Sequence, residues 1–309
     1  MKYLIGIILI LTATVAAAPR APHKTYAPKK DVSLYAKDWG LASIHVNEAR
    51  GIQKGNHKLM VAVIDTGTQS SHPALAGWVN DGWNMISNSP GTEDTHGHGT
   101  HIAGIIHQIA DVTLVPYEYC SGTSNEDNLA LTVKAIYRAV DDGCKIINYS
   151  GGGTDFSEKE FLAIKYASEH GVLFVAAAGN EHSNSDEPGK HYYPADYDLP
   201  NVISVGNIDR NDNLVSSSNY GAKTVHLAAP GENIFSTLPG DRYGYMTGTS
   251  QATAFVTGVA ALILSQHPSF SPATVRWVLT NTADHPASLK GKIKAGKLNA
   301  YKALQLLSK

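Results

Sequence analysis

Four residues spread along the chain carry the groups that a serine-based hydrolysis needs: Asp65, His98, Asn180 and Ser250. Attack by a serine hydroxyl requires an imidazole to take its proton, a carboxylate to fix the imidazole tautomer, and donors for the oxyanion that develops. Ser250 sits in Gly248-Thr249-Ser250-Gln251-Ala252-Thr253, and His98 in His96-Gly97-His98-Gly99-Thr100-His101, where glycines let the backbone come close. Each residue also has an ordinary structural explanation. Ser250 fits a helix N-cap, Asp65 a turn carboxylate, His98 a polar group at a helix start, and Asn180 a loop position with left-handed geometry. Taken singly these explanations leave the combination unaccounted for.

The elements around these residues decide whether they can meet. Residues 59–64 form a continuous apolar, β-branched run that reads as a strand buried on both faces, with Asp65 at its carboxyl end. Further strands are expected at 112–119, 145–149, 172–177, 202–205 and 225–227. Helices are expected at 98–110, at 124–142, from a Ser157/Glu160 capping box to His170, after Ser271-Pro272, and over 298–307. The stretch from Ser250 to Leu264 mixes small and bulky apolar residues with too little polarity for a surface, so it reads as a buried helix. Repeated β-α-β forces parallel strands through right-handed crossovers. Such sheets bind ligands at the carboxyl ends of their strands. Asp65, the loop Ser150-Gly151-Gly152-Gly153, and Gly179-Asn180 all leave strands there, so they converge on one rim where Ser250 can join them.

The chain has 309 residues, enough for one large α/β domain. Its formal charge of −2 argues against a nucleic-acid partner. Lys2 precedes an apolar run over 4–15 that is too short to span a bilayer and ends in small residues, so residues 1–17 read as a secretory signal cleaved before Ala18. Residues 18–36 carry three prolines and several bases and read as a flexible leader, leaving 37–309 as the folded domain. No other segment reads as a membrane span. A secreted or periplasmic location would permit a disulfide. Yet Cys120 follows one expected strand and Cys144 precedes another; as parallel neighbours these strands would put the two thiols at opposite ends of the sheet, beyond the ~7 Å that a bridge tolerates.

The order and spacing of several blocks resemble the subtilisin-like serine proteases, or subtilases, from about Trp39 to Lys302. The blocks are Val63-Ile64-Asp65-Thr66-Gly67, Ser71-His72-Pro73, His98-Gly99-Thr100-His101, Ala176-Ala177-Ala178-Gly179-Asn180, Tyr193-Pro194-Ala195, Ala229-Pro230-Gly231 and Gly248-Thr249-Ser250. The resemblance implies a three-layer α/β fold whose mainly parallel central sheet, of seven-strand type, is flanked by helices. It implies an endopeptidase of protein or peptide substrates, with Asp65, His98 and Ser250 as the triad and Asn180 as the side-chain oxyanion donor. Ser150, Gly151 and Gly152 on one side, and Ala177, Ala178 and Gly179 on the other, would pair with substrate backbone and line the pocket for the residue before the cleaved bond.

His96 and His101 fall outside the matching position and read as packing residues. Together with His98, Glu93 and Asp94 they also have the makings of a metal site, but neither a metal nor any required cofactor is expected. The family's tight calcium site uses an Asp where this chain has Ala74, together with a loop after the His98 helix that the spacing here leaves out, so that site is expected to be absent, with weaker calcium sites left open. Gln251, Ala254 and Phe255 also depart from the family pattern without removing a catalytic group. Residues 18–39 leave no room for a large folding propeptide, which points to an unaided monomer, a sufficient leader, or a separate folding assistant or inhibitor. Two other functions use the same residues: a non-catalytic peptide-binding module, and an acyl-enzyme transpeptidase or ligase.

Overall fold

The computed structural model describes residues 39–121 and 127–308, so the expected signal and leader lie outside the described residues. Short helices α1 (Trp39–Ser43) and α2 (Val46–Ile52) lead into strand β1 (Met60–Asp65). After β2 (Trp83–Asn84) and β3 (Ser89–Pro90) come α3 (His98–Ile109), β4 (Thr113–Glu118), α4 (Asp127–Asp141), β5 (Ile146–Tyr149), α5 (Glu158–Glu169) and β6 (Leu173–Ala177). The chain continues through β7 (Val202–Ile208), β8 (Leu227–Pro230), β9 (Ile234–Leu238), β10 (Arg242–Met246), α6 (Thr249–Gln266), α7 (Pro272–Asn281) and α8 (Ala300–Leu306).

Eight strands form the central sheet in the order β3-β2-β4-β1-β5-β6-β7-β8. Every pairing is parallel except β2 with β3, so the expected seven-strand parallel sheet gains an antiparallel edge. Because strand side chains alternate, Val61 and Val63 of β1 enter one core with α3 and α6, while Ala62 and Ile64 enter a second with α4 and α5. This is the three-layer arrangement. Helix α6 is buried from Thr249 through Leu264, in keeping with its lack of a polar face.

The Ser157 hydroxyl caps α5 by accepting from the Glu160 N–H at 3.3 Å. The expected return bond is missing, because the Glu160 carboxylate accepts from Tyr197 Oη at 3.0 Å and the Ser157 N–H donates to that same oxygen at 3.2 Å. Tyr197 has inserted itself into the capping box. Burial outweighs the Tyr197 bond and lifts the Glu160 pKa to about 7. Ser271 caps α7 as expected. No disulfide joins Cys120 and Cys144. Strands β4 and β5 are not neighbours, since β1 lies between them. The hairpin β9–β10 was not anticipated: β10 is partly exposed and has no apolar run.

Candidate active site

Asp65 closes β1 and His98 opens α3, and the two meet. The His98 Nδ1–H donates to Asp65 Oδ1 at 2.7 Å, and that carboxylate oxygen also accepts from the Thr66 N–H at 2.8 Å. An ionised carboxylate only accepts, so this bond assigns the proton to Nδ1 and leaves Nε2 as an acceptor. Close approach of α3 to the β1 loop depends on Gly99: a Cβ there would lie 2.0 Å from the Gly67 carbonyl oxygen and 3.1 Å from the Asp65 Cβ. Burial pushes the His98 pKa down. The charge and hydrogen bond of Asp65, with the charge of Asp94, outweigh it and leave the imidazole above its usual 6.5.

Beneath this pair lies a residue whose role the sequence did not reveal. The buried Asp94 carboxylate accepts through Oδ1 from Thr66 Oγ1 (2.9 Å), the His96 N–H (3.1 Å) and the Gly97 N–H (2.6 Å). Through Oδ2 it accepts from the Thr100 N–H (2.8 Å) and Thr100 Oγ1 (2.6 Å). Thr66 in turn accepts from the Gly99 N–H at 3.0 Å. A charge placed within the first turn of α3 satisfies amides that the helix itself cannot. Asp94 thereby fixes the segments on both sides of the Asp65–His98 contact. No group of three or more His, Cys, Asp or Glu among the described residues is arranged to hold a metal ion. His101 is buried, with Nε2 3.1 Å from the Ile234 carbonyl and 3.2 Å from the Gly244 carbonyl. Burial lowers its pKa to about 4, so it stays neutral and ties α3 to the β9–β10 hairpin. His96 is exposed, its ring centroid 6.3 Å from that of His98.

Ser250 lies one residue inside α6 and does not act as its N-cap, the position held by Gly248. Its hydroxyl donates to the Ser150 carbonyl at 3.2 Å, and Ser150 Oγ donates to the Ser250 carbonyl at 3.4 Å. The structure thus brings Ser250 to the rim segment after β5 but turns its hydroxyl to that carbonyl rather than to the imidazole. Asn180 meets the same helix end, its Oδ1 accepting from the Thr249 N–H (3.0 Å) and Thr249 Oγ1 (3.2 Å). With its carbonyl so held, the carboxamide keeps its Nδ2 for another acceptor. The Ser250 N–H is in the first turn, where α6 offers it no backbone partner.

The two proposed walls leave neighbouring strands, Ser150, Gly151 and Gly152 after β5, and Ala177, Ala178 and Gly179 at the end of β6. Asn219 fastens the second wall. It donates from Nδ2 to the Ala178 carbonyl (2.8 Å) and from its N–H to the Gly179 carbonyl (3.0 Å), while its Oδ1 accepts from the Glu181 N–H (3.0 Å). Nothing in the local sequence marks Asn219 for this, because its partners lie some 40 residues away.

With this geometry in hand, residues 56–302 match the model of the subtilase family of S8 peptidases. The chain belongs to the subtilase family. It is 36% identical over 293 residues to thermitase of Thermoactinomyces vulgaris, covering 91% of this chain and all of that one. It is 35% identical over 257 residues to subtilisin Savinase of Lederbergia lenta, covering 79% of this chain and 90% of that one. A crystal structure of a lanthipeptide protease superposes with a TM-score of 0.81 at 29% identity, covering 89% of this chain and 96% of that one. The subtilase is accordingly a serine-type endopeptidase of protein substrates.

Where this subtilase departs from the family pattern, the departures fall in well-packed places. Ala254 and Phe255 are fully buried in α6, and Gln251 is buried with its Nε2 3.9 Å from Met246 Sδ. At residue 74 Ala74 offers a methyl group, and only three residues separate the end of α3 at Ile109 from the start of β4 at Thr113.

Proposed function

We propose that this subtilase is a secreted endopeptidase in which His98 deprotonates Ser250, Asp65 holds the imidazole, and Asn180 receives the oxyanion. The observation that carries the reading is the 2.7 Å bond from His98 Nδ1 to Asp65 Oδ1, which leaves Nε2 to accept a proton, and it is supported by Asn180 meeting the end of α6 that carries Ser250. In the reaction, the Ser250 hydroxyl leaves the Ser150 carbonyl and passes its proton to Nε2 while its oxygen bonds the peptide carbonyl carbon. Asn180 Nδ2 and the Ser250 N–H hold the resulting oxyanion. The C–N bond then breaks as His98 returns the proton to the amine, and water activated by the same imidazole releases the acyl group. Substrate lies extended along Ser150, Gly151 and Gly152 as an added strand.

Secretion is supported by the apolar segment after Lys2, and no helix among the described residues is long and apolar enough to cross a membrane. The test is covalent labelling of the mature protein with a fluorophosphonate. Stoichiometric labelling at Ser250 together with peptide hydrolysis is expected. A protein that binds peptides without being labelled is a binding module, and transfer of the acyl group to a competing amine in preference to water identifies a ligase.

A further inference from the structure

We infer that the Tyr192 ring closes the slot beside Ser250, so that the enzyme cleaves after residues with small side chains, glycine, alanine or serine, and excludes aromatic ones. The inference rests on the reading of Ser250 as nucleophile. Ser250 Oγ is 3.2 Å from the Ser150 carbonyl and the neighbouring Thr249 N–H is bonded to Asn180. With substrate lying extended along Ser150, Gly151 and Gly152 as proposed, a peptide carbonyl reached by Ser250 places its own side chain between the segment after β5 and the end of β6. Adjacent strands stand only ~4.8 Å apart, so what fills the space below their ends decides how deep that side chain goes.

Tyr192 fills it. A Cβ built on Gly152 would lie 2.5 Å from Tyr192 Cε1, and one built on Gly179 would lie 2.9 Å from Tyr192 Cδ2. These two atoms belong to opposite edges of the ring, so the ring bridges the walls edge to edge. Its backbone is fastened on both sides. The Tyr192 N–H donates to Asp196 Oδ2 at 2.8 Å and its carbonyl accepts from the Asp196 N–H at 2.9 Å. The next residue, Tyr193, exchanges two backbone bonds with Gly153, at 2.7 and 2.8 Å. Burial, with the nearby Glu181 and Glu160 charges, raises the phenol to about 12, so the plug is neutral throughout the working range of a protease. An incoming aromatic side chain would have to displace a ring held by its own backbone, whereas a methyl group stops short of it.

The experiment measures kcat/KM for peptides identical except for Gly, Ala, Leu, Phe or Arg before the scissile bond. The wild-type enzyme is expected to favour Ala over Phe by at least ~10-fold, the scale on which pocket volume discriminates. Tyr192→Gly is expected to raise the Phe-to-Ala ratio by about 100-fold, and Tyr192→Phe, which keeps the ring, to leave that ratio unchanged. Wild-type enzyme cleaving after Phe as well as after Ala overturns the inference, as does an active Tyr192→Gly enzyme with the wild-type ratio. Should Tyr192→Gly fail to fold by circular dichroism, the wild-type profile and the Tyr192→Phe ratio still decide. A protein that resists the fluorophosphonate and cleaves none of the peptides defeats the nucleophile reading itself. A labelled enzyme with a Phe preference defeats only the assignment of Tyr192.

Discussion

The carboxylate and imidazole are fixed from below by the Asp94 network, five short hydrogen bonds that pin the β1 loop to the first turn of α3. Across the rim the Ser250 hydroxyl is held by a single bond of 3.2 Å to a carbonyl. On the proposed mechanism the first half needs no reorganisation when charge appears on the imidazole. The second can exchange partners, because a bond of this kind contributes only ~1 kcal/mol net and is lost without penalty when another acceptor is at hand. Rigidity then sits where that mechanism needs a tautomer kept, and freedom where it needs a proton to move.

Removing the mobile partner should have the largest effect: Ser250→Ala is expected to lower kcat by roughly 10⁴- to 10⁶-fold with substrate affinity retained. Near-wild-type hydrolysis by that variant would end the comparison altogether. Asn180→Ala should cost about 10²- to 10³-fold in kcat, read in the same assay, because it deletes an oxyanion donor. It should also cost some stability, since the Thr249 N–H loses its acceptor.

Asp94→Asn tests the rigid half. An amide group cannot accept from all five donors, so unfolding free energy in denaturant should fall by about 2 to 4 kcal/mol. The loss should exceed that of Ser250→Ala; if the two variants are equally stable, the asymmetry drawn here is wrong.

The acid limb of kcat/KM should have its inflection above 6.5, the direction in which Asp65 and Asp94 move His98. Because the folded pKa is raised, the stability that the His98 pair adds is fully present below the unfolded value and fades as pH rises through the folded one. Activity runs the other way, appearing as the imidazole loses its proton. In Asp65→Asn both raising effects of that carboxylate vanish, leaving burial opposed only by the Asp94 charge, so the residual activity should show an inflection moved to lower pH. The smallest effect concerns calcium: EDTA should change the melting temperature by no more than about 2 °C, and a sharp drop would reveal a site outside the family's usual position.

Much of the framework could be read from residue patterns. The buried strands β1 and β6 are built on continuous apolar runs, β5 carries Ile146-Ile147, α6 lacks a polar face, and Ser271 caps its helix within four residues of its partner. Elements whose pairing is distant were missed. Strands β2 and β3 are two residues each and owe their existence to β4 and to each other, and β10 pairs with β9 with hardly any apolar signal. In the capping box, the Ser157 half was visible because it is local, while the Tyr197 half comes from 37 residues beyond Glu160.

The site divides in the same way. Types and spacing in the chain were enough to nominate Asp65, His98, Asn180 and Ser250, since the chemistry demands those groups and the strand ends give them a common edge. Tertiary structure alone decided that the Ser250 hydroxyl rests on the Ser150 carbonyl, that Asp94 spends its charge on backbone amides, and that Tyr192 spans two walls. The reason is physical: periodicity and capping report interactions within a few residues. The direction of a hydroxyl, or the depth of a slot, depends on contacts between segments that meet only when the sheet has formed.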